Sequence, residues 1–340
     1  MTVGIGLIGV GYWGKNLVRN FSAASGGELL SVCDLDQRNL AAAVAAVPGL
    51  HVTRSLDELL RDRRILAVAV ATPAETHRAI VERCLDAGKD VFVEKPLATS
   101  AADAAALVRA GEKAKRIVMV GHLFLYDRSV QALLELLRGG RVGDIRYITV
   151  TRTSMGGTAR LDTNIVWDAL IHDAYIIPAV VGRRPQRVLA IGRGYLSELE
   201  DVVFACFDFG DGTVAECYAS WYALEKARQL TVVGSDAVVR LDEFADPKLV
   251  LYRRRYEQSE ERDPRGRPRW KWLDDGAEPQ AVERGEPLRA ECEHFIHCVE
   301  TRERPRTSAS DAMLAVEIIE ACQRSLAADG KWIELEAVND

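Results

Sequence analysis

The sequence lacks the features that mark several classes of protein. Its apolar runs, such as Ile65–Ala71, are far shorter than the roughly 20 residues of a membrane-spanning helix. Neither charge dominates, since 44 Lys and Arg residues stand against 50 Asp and Glu residues. The resulting net charge of −6 disfavours general binding to nucleic acid or to membranes. Met1–Gly9 has no cationic start and does not resemble a signal peptide.

The seven cysteines are odd in number and form no CxxC motif. Most of them lie in apolar stretches, where a free thiol packs as a small hydrophobic side chain. We therefore expect reduced thiols and a cytoplasmic protein instead of a disulfide framework.

Several metal-ligand residue types are concentrated in Glu291–Cys298, within one predicted helix. A zinc site takes about four convergent ligands, whereas one helix brings at most two or three within reach. We interpret this segment as an amphipathic helix and predict no metal site.

The composition is that of a globular protein, with 48% hydrophobic and 28% charged residues. A length of 340 residues predicts about two domains.

Short, continuously apolar segments alternate with Ala-rich stretches through residues 1–121. This alternation is typical of an α/β fold with a doubly wound parallel sheet. The predicted strands are Val3–Gly9, Leu29–Asp34, Ile65–Ala71, Asp90–Val93 and Ile117–Gly121, and the predicted helices are Tyr12–Ala24, Asp36–Ala46, Ala74–Ala87 and Ser100–Lys115.

The pattern changes after Gly121, where longer strands with alternating or β-branched residues follow a predicted helix at Arg128–Leu137. Gly210-Asp211-Gly212 between two of these strands is a hairpin signal. We predict an α+β domain over residues 122–340 with a large, predominantly antiparallel sheet. Its other predicted elements are the strands Asp144–Arg152, Arg187–Gly192, Asp201–Phe209, Thr213–Tyr222, Gln229–Val233 and Lys331–Leu335 and the helices Ile165–Val181, Leu288–Val299 and Ser308–Leu326.

Residues 253–287 are rich in Arg, Glu, Pro and Gly and have no net charge. A solvated hairpin or surface loop explains this composition. The alternative is a basic flap, Arg253 to Lys271, that contacts a phosphorylated substrate or a neighbouring subunit.

The clearest motif is GxGxxG, in the sequence Gly9-Val10-Gly11-Tyr12-Trp13-Gly14. It follows an apolar strand and opens a helix, the context that a dinucleotide-binding turn requires. Gly9 permits the tight turn, Gly11 lets the backbone approach a pyrophosphate, and Gly14 allows close helix packing. The pyrophosphate is then expected at the positive end of the helix that starts near Tyr12.

Asp34 ends the second predicted strand, twenty residues after Gly14. A carboxylate at this place accepts hydrogen bonds from the adenosine ribose and repels a 2′-phosphate, which favours NAD over NADP. Asp36 is a weaker candidate for the same role, and the nearby Arg38 complicates the choice of cofactor.

Ala71–His77 follows a strand at the ligand-binding edge of the predicted sheet, so Thr72, Pro73 and His77 are candidate cofactor-binding residues. Proline is also common at the start of a helix, so Pro73 can be explained by local structure alone. We interpret His77 as a capping or packing residue and not as a catalytic one.

Glu94-Lys95-Pro96 follows another strand on the same edge. The Lys95 ammonium can stabilise the alkoxide that forms as hydride leaves a substrate alcohol. Glu94 and Lys95 therefore join the candidate cofactor-binding residues, and Lys95 is also a catalytic candidate.

Asp168 and His172 are four residues apart in a predicted helix and so share a face. The carboxylate can orient the imidazole and raise its basicity. His172 can then exchange a proton with a substrate hydroxyl.

Together these motifs resemble the glucose–fructose oxidoreductase, inositol dehydrogenase and rhizopine-catabolism (Gfo/Idh/MocA) family, over nearly the whole chain. The details are most similar to its nucleotide-sugar branch, whose members oxidise the C3 hydroxyl of UDP-N-acetyl-glucosaminuronic acid or act on related sugars. Three segments carry this finer resemblance: Gly11–Leu17, Gly121-His122 and Leu288–Phe295.

The resemblance implies a Rossmann domain followed by a substrate-binding domain whose exposed sheet face forms the oligomer interface. It implies that Lys95 and His172 flank the substrate, that Asp168 supports His172, and that His122 belongs to the cofactor site. We thus predict an NAD-binding domain at residues 1–121, a substrate-binding and oligomerisation domain at 122–340, and a homodimer or homotetramer.

The favoured hypothesis is an NAD-dependent oxidoreductase acting on a secondary alcohol of a sugar, at C3 of a nucleotide-linked one. Three alternatives stay open. They are a keto-sugar reductase of deoxy- or amino-sugar synthesis, an inositol or free-sugar dehydrogenase, and a dinucleotide-binding sensor without turnover.

Overall fold

The central strands of the N-terminal part are buried in the computed structural model, which describes residues 2–154 and 163–336 of the chain. Such burial is expected of strands that helices cover on both faces. The elements of this part are, in chain order, β1 (Val3–Ile8), α1 (Gly14–Ala23), β2 (Gly27–Cys33), α2 (Gln37–Ala46), β3 (His51–Thr53), α3 (Leu56–Arg61), β4 (Ile65–Val70), α4 (His77–Asp86), β5 (Asp90–Glu94), α5 (Ala101–Ala114) and β6 (Val118–Gly121).

Six strands within the described ranges form one parallel sheet in the order β3-β2-β1-β4-β5-β6. The predicted doubly wound Rossmann domain is therefore confirmed. The strand order reverses between β1 and β4, and ligands of such sheets bind outside the carboxyl ends of the strands at this point. The sequence does not predict β3 and α3, because elements of three and six residues are too short to show a period.

Alternating burial marks the strands of a second sheet, as in β9, where every second residue is buried. The elements that follow β6 are α6 (Arg128–Arg138), β7 (Ile145–Thr153), α7 (Ile171–Val181), β8 (Arg187–Arg193), β9 (Val202–Asp208), β10 (Val214–Ser220), β11 (Ala227–Gly234), β12 (Val238–Asp242), β13 (Leu249–Arg262), β14 (Pro268–Pro279), α8 (Pro287–Thr301), α9 (Ala309–Ala327) and β15 (Ile333–Glu334).

The second sheet has the order β14-β13-β12-β11-β7-β10-β9-β8-β15 among the described strands. The β7–β10 pair is parallel and the other neighbouring pairs are antiparallel, which confirms a predominantly antiparallel sheet. β9 and β10 form the hairpin predicted from Gly210-Asp211-Gly212, and β13 and β14 form a long hairpin within the segment that the sequence marked as solvated.

The thiols of the seven cysteines are free, and six of these residues are buried. None of the helices in the described ranges combines the length and the apolar character that crossing a membrane requires.

The chain divides into two units that differ from the predicted division at residues 121 and 122. The first unit contains Met1–Asp127 and also Gly285–Glu317, and the second contains Arg128–Arg284 and Ile318–Asp340. The helix α8 belongs to the first unit because its buried face packs against α1 and β1. A prediction that follows chain order places α8 in the second domain, since the return of the chain to the first unit leaves no local signal.

Three phenylalanines hold α8 against the first unit. Phe295 of α8 lies edge-on to Phe92 of β5 and to Phe21 of α1, with ring centroids 5.8 Å and 6.3 Å apart. Phe21 and Phe92 lie 5.9 Å from each other. All three side chains are fully buried, and aromatic pairs in this geometry stabilise a core beyond the area they bury.

Replacement of Phe295 by Ala should therefore destabilise the first unit, although Phe295 lies far in sequence from Phe21 and Phe92. We expect the free energy of unfolding to fall by about 3–5 kcal/mol, as for other large-to-small changes in a core. Denaturant unfolding measures this change, and Glu300→Ala on the exposed side of the same helix is the control. An unfolding midpoint equal to that of the control would contradict the packing described here.

Candidate functional site

The glycine turn after β1 leaves an open space beside Gly11. Gly9 has φ +87°, and a Cβ on it would lie 2.7 Å from the carbonyl oxygen of Ala71. A Cβ on Gly14 would lie 2.0 Å from the carbonyl oxygen of Gly9. No described atom lies within 4 Å of a Cβ built on Gly11. Gly9 and Gly14 are thus required by the turn itself, whereas Gly11 keeps room free for a ligand.

Asp34 is joined to the glycine turn by a direct hydrogen bond. Its Oδ2 accepts from the backbone N–H of Val10 at 2.6 Å, and its Oδ1 accepts from the N–H of Asp36 at 2.8 Å. Asn39 Nδ2 lies 3.2 Å from the same Oδ2. The carboxylate lies just after β2, where the sequence predicts a contact with the adenosine ribose.

Asp36 has a structural role instead. It caps α2 by accepting from the Arg38 N–H at 2.8 Å, and it forms an exposed ion pair with the Arg38 guanidinium at 2.7 Å. The Arg38 hydrogen bonds lower the pKa of Asp36 to about 2. The charge of Arg38 is therefore paired with Asp36.

His77 bridges two loops at the carboxyl edge of the sheet. Its Nδ1 lies 2.8 Å from the carbonyl oxygen of Pro96, and its Nε2 lies 2.9 Å from that of Thr72. Burial lowers the pKa of the imidazole, against the raising effect of these two contacts. His77 thus packs, as predicted, and it connects the loop after β4 to the loop after β5.

Glu94 is a buried carboxylate at the end of β5. Trp13 Nε1 donates to its Oε1 at 2.5 Å, and the Lys95 N–H lies 3.3 Å from its Oε2. Burial raises the pKa of Glu94 to about 7, opposed by the Trp13 hydrogen bond and the Lys95 charge. This contact joins the glycine turn to the strand end that carries Lys95, whose peptide bond to Pro96 is cis.

His122 is buried just after β6, the strand next to β5. Burial, and then the charge of Lys95, lower its pKa to about 3. The imidazole is therefore neutral at physiological pH, and the Lys95 ammonium lies close enough to influence both His122 and Glu94.

The remaining candidates of the first unit lie in the same loops. Tyr12 is 87% exposed in the glycine turn. The Thr72 side-chain oxygen accepts from the Thr76 hydroxyl at 2.7 Å, and Pro73 precedes the short 3₁₀ turn Ala74–Thr76. The contacts described above link these loops to one another, so the predicted cofactor-binding residues converge at one edge of the sheet.

In the second unit, the predicted helix Ile165–Val181 is not one continuous α-helix. Val166–Leu170 form a π-helical turn, and α7 begins at Ile171. Asp168 lies in the π turn and His172 in the first turn of α7, so the assumption of a regular α-helical face was wrong. Turns of this kind are frequent at functional sites because they redirect side chains.

An ion pair that was not predicted from the sequence anchors this segment. Arg152, at the end of β7, contacts Asp173 of α7 at 2.6 Å, and their side chains are 12% and 2% exposed. Arg228 of β11 lies in the same cluster, where burial lowers its pKa while the charges of Glu243 and Asp168 raise it. The adjacency of Asp173 to His172 is the one signal that the sequence offered.

Several arginines of the long hairpin have acidic partners. Arg254 contacts Asp274 at 3.0 Å, Arg255 contacts Asp275 at 2.8 Å, and Arg253 pairs with Glu278. These ion pairs neutralise part of the basic charge of the segment from Arg253 to Lys271.

No cluster of three or more His, Cys, Asp or Glu side chains that could hold a metal ion occurs in the described part of the chain. In α8, His294 Nε2 lies 3.1 Å from the Arg306 N–H, and His297 faces Glu303 at 3.2 Å.

The first unit fits a dinucleotide on two observations. The space beside Gly11 lies at the carboxyl edge of the sheet, where a pyrophosphate can approach the backbone. Asp34 lies beside the same turn with a carboxylate suited to ribose hydroxyls.

Two family models match the chain. The model described as "Oxidoreductase family, NAD-binding Rossmann fold" matches residues 3–122, and the "GFO/IDH/MocA C-terminal domain" model matches residues 130–240.

The chain is also similar to individual proteins. It is 29% identical over 249 residues to a UDP-N-acetylglucosamine 3-dehydrogenase of Acidithiobacillus ferrooxidans, covering 73% of this chain and 76% of the relative. It is 37% identical over 148 residues to inositol 2-dehydrogenase 1 of Saccharopolyspora erythraea, covering 42% and 44%. A solved oxidoreductase from Agrobacterium radiobacter in complex with NAD⁺, L-tartaric acid and magnesium has a TM-score of 0.82 at 20% identity, with 98% of both chains covered.

Two glycine variants distinguish a residue that the turn needs in order to fold from one that leaves room for NAD⁺. Gly11→Ala should leave the unfolding midpoint unchanged but weaken NAD⁺ binding at least about tenfold, which is about 1.4 kcal/mol, because the methyl group fills the open space. Gly14→Ala should lower stability by about 1–3 kcal/mol, because its Cβ overlaps the Gly9 carbonyl. Calorimetric titration and thermal unfolding measure both effects. Full NAD⁺ affinity in Gly11→Ala would show that the pyrophosphate binds elsewhere.

Proposed function

The chain belongs to the Gfo/Idh/MocA family of NAD-binding oxidoreductases, and on that premise we propose that it transfers hydride between a sugar secondary alcohol and nicotinamide. We propose further that the sugar is nucleotide-linked and that C3 is the reacting carbon. The similarity to a UDP-N-acetylglucosamine 3-dehydrogenase supports this choice of substrate class.

One observation carries the proposal: Lys95 is fixed relative to the glycine turn. Lys95 directly follows Glu94, whose carboxylate accepts the hydrogen bond from Trp13 of the turn. The turn follows β1 and Lys95 follows β5, and β4 lies between these two strands. A cofactor that binds along the turn therefore has the Lys95 cation two strands away, at the same edge of the sheet. A cation held in this way can act on the oxygen of an alcohol that is being oxidised.

In the proposed reaction, His172 removes the proton of the substrate hydroxyl, and Lys95 stabilises the oxyanion as it develops. Asp168 orients the imidazole of His172 and raises its basicity, because its negative charge stabilises the imidazolium that forms. NAD⁺, when bound, accepts the hydride. Gly9, Gly11 and Gly14 hold the cofactor at the turn, with Tyr12, Trp13, Thr72, Pro73, His77, Glu94 and His122 forming the surrounding loops.

Asp34 accounts for the use of NAD. A carboxylate at the end of β2 repels a 2′-phosphate, and Arg38 is already paired with Asp36. Because Arg38 is paired with Asp36, its charge is not available to attract the 2′-phosphate of NADP.

The same residues serve the reverse reaction, the reduction of a keto-sugar, by microscopic reversibility. The similarity to inositol 2-dehydrogenases supports an inositol or free-sugar substrate as the second candidate. A sensor that binds NAD without turnover would keep the glycine turn without needing Lys95 and His172.

The exposed face of the second sheet supports a homodimer or homotetramer. Apolar side chains from neighbouring strands lie on this face, and the rings of Phe204 and Tyr218 stack there at 4.9 Å. Exposed apolar patches of this kind are typical of protein interfaces. The members are Tyr147, Ile191, Phe204 and Val214, each between 44% and 51% exposed.

A charge on this face should dissociate the oligomer. We expect Phe204→Asp to shift the mass measured by light scattering from an oligomer towards 37.5 kDa, because an interfacial carboxylate loses its hydration without a partner. Val44→Asp, on a similarly exposed position of α2, is the control. A wild-type chain that is monomeric at all concentrations would contradict the interface.

Turnover should depend on Lys95 and His172 but not on exposed residues of the same type. With UDP-N-acetylglucosamine, UDP-N-acetyl-glucosaminuronic acid, myo-inositol and free aldoses as a panel, NADH formation reports the reaction. We expect kcat/KM to fall about 100-fold or more in Lys95→Ala and in His172→Ala. The controls are Lys113→Ala and His297→Ala.

Retained NAD⁺ binding by the inactive variants would place the loss in the chemical step. Undiminished turnover in both variants would contradict the assigned roles, and turnover of myo-inositol alone would favour the second candidate.

A further inference from the structure

The hairpin of β13 and β14 extends well beyond the neighbouring strand of the second sheet. β12 pairs with β13 only as far as Tyr252, whereas β14 stays paired with β13 as far as Arg262. The stretch Arg253–Arg262 therefore has β14 as its one neighbour among the described strands, over about 33 Å at about 3.3 Å per residue. We call the two stretches Arg253–Arg262 and Pro268–Asp275 the ribbon.

The ribbon buries neither of its faces. Every residue in it is exposed or half-buried, so no core holds its two strands together. A two-stranded hairpin is at best marginally stable in water by itself. We therefore expect another surface to cover one face of the ribbon.

Three aromatic side chains lie on one face of the ribbon. Tyr256 of β13 is paired with Trp272 of β14, and their ring centroids lie 4.8 Å apart. Trp270 is two residues from Trp272 and so lies on the same face. Tyr256, Trp270 and Trp272 are 62%, 63% and 49% exposed. Tyrosine and tryptophan are enriched at protein interfaces, where they carry much of the binding energy.

The exposed face of the second sheet can be followed from β10 to β13 through the paired residues. Val214 pairs with Tyr147 of β7, and Tyr147 pairs with Val233 of β11. Val233 pairs with Val238 of β12, which pairs with Tyr252 of β13. Residues that are paired across neighbouring strands lie on the same face. Tyr252 therefore continues the exposed face that carries Tyr147 and Val214.

The same face continues into the ribbon along β13. Tyr256 lies four residues after Tyr252, so the alternation of the strand puts both on one face. The register shifts between Tyr252 and Arg254, where two steps along β13 are matched by three steps along β14. The extra residue of this bulge thus lies on β14, and the alternation of β13 is unbroken. The aromatic face of the ribbon is therefore continuous with the sheet face proposed above as the oligomer interface.

The charge of the hairpin favours a protein surface as its partner. Residues 253–279 contain eight Lys and Arg residues against seven Asp and Glu residues. Two of these opposite charges pair within the ribbon in each of the contacts Arg254–Asp274 and Arg255–Asp275. Nucleic acid and anionic membranes attract proteins through an excess of basic groups, which this near-balance does not supply.

The exposed area favours a second copy of this chain as that partner. Three aromatic side chains that are about half exposed offer on the order of 300 Å² of surface. Each partner of a stable complex buries about 800 Å². The aromatic face of the ribbon falls short of this area, so we expect it to act together with the sheet face with which it is continuous.

We propose that the ribbon is an assembly arm, whose aromatic face of Tyr256, Trp270 and Trp272 packs on the exposed sheet face of a second copy of this chain. The proposal rests on the homo-oligomer proposed above and adds a second contact surface to it. Of the two contacts considered for the segment from Arg253 to Lys271, it selects the neighbouring subunit. The sugar substrate and the cofactor have no part in it.

Loss of the two tryptophans should weaken the assembly. We expect Trp270→Thr/Trp272→Thr to raise the dissociation constant of the oligomer at least about tenfold, because buried tryptophans carry much of the binding energy of an interface. Threonine suits a strand and so preserves the hairpin. Lys271→Thr is the matched control, since Lys271 is exposed on the opposite face of the same strand. Sedimentation velocity over a dilution series measures these constants.

Hydrogen exchange tests the docking without a change in the ribbon itself. Phe204→Asp should dissociate the oligomer and leaves the sequence of the ribbon intact. We expect the ribbon amides to exchange at least about tenfold faster in this monomeric variant than in the assembled wild type, because an undocked ribbon opens more readily. The amides of β4, in the first unit, should exchange at equal rates in both proteins and serve as the internal control.

The proposal is overturned if the tryptophan variant assembles as Lys271→Thr does, or if the ribbon amides exchange equally in the two proteins. Either result, with the wild type still an oligomer, leaves the sheet-face interface standing without the arm. A wild type that is monomeric at all concentrations overturns both. NADH formation decides the proposed hydride transfer separately, whatever the ribbon does.

Discussion

The hydrogen bond from Trp13 to the buried carboxylate of Glu94 is the interaction on which the dinucleotide site depends. It connects two loops that are 81 residues apart in sequence, one with the glycine turn and one with Lys95. Asp34 extends the connection to β2 through the Val10 N–H, and His77 extends it to the loop after β4 through Thr72. The edge of the sheet is therefore one network, in which the cofactor turn and the proposed catalytic cation have a fixed relation.

Much of this edge could be predicted, because its constraints are local. The spacing of the glycines follows from the close backbone contacts within one turn, and Gly9 and Gly14 have no room for a side chain. Parallel strands also bring their carboxyl ends together whatever their side chains are. The partners across the edge could not be predicted in this way. Nothing near His77 in the sequence indicates that its ring spans the carbonyl groups of Thr72 and Pro96, and nothing near Glu94 indicates Trp13.

In the second unit, the expectation of a regular α-helical period was wrong for one segment. Asp168 and His172 have the spacing of one α-helical face, but the π turn at Val166–Leu170 changes the rotation between them. The segment is anchored by the largely buried pair of Arg152 and Asp173, which joins the end of β7 to the first turn of α7. Such a pair is costly to bury unless both charges are satisfied, and this cost makes it a strong constraint on how α7 lies. The return of α8 to the first unit is a similar long-range feature, set by Phe295 and not by any boundary signal.

We propose that the glycine turn and Lys95 together define the path of the cofactor. A crystal structure of the protein with NAD⁺ bound tests it most directly. We expect a pyrophosphate in the space beside Gly11, ribose hydroxyls on the Asp34 carboxylate, and the nicotinamide ring on the side of Lys95. A dinucleotide bound with its pyrophosphate away from Gly11, or with its nicotinamide turned away from Lys95, would contradict it.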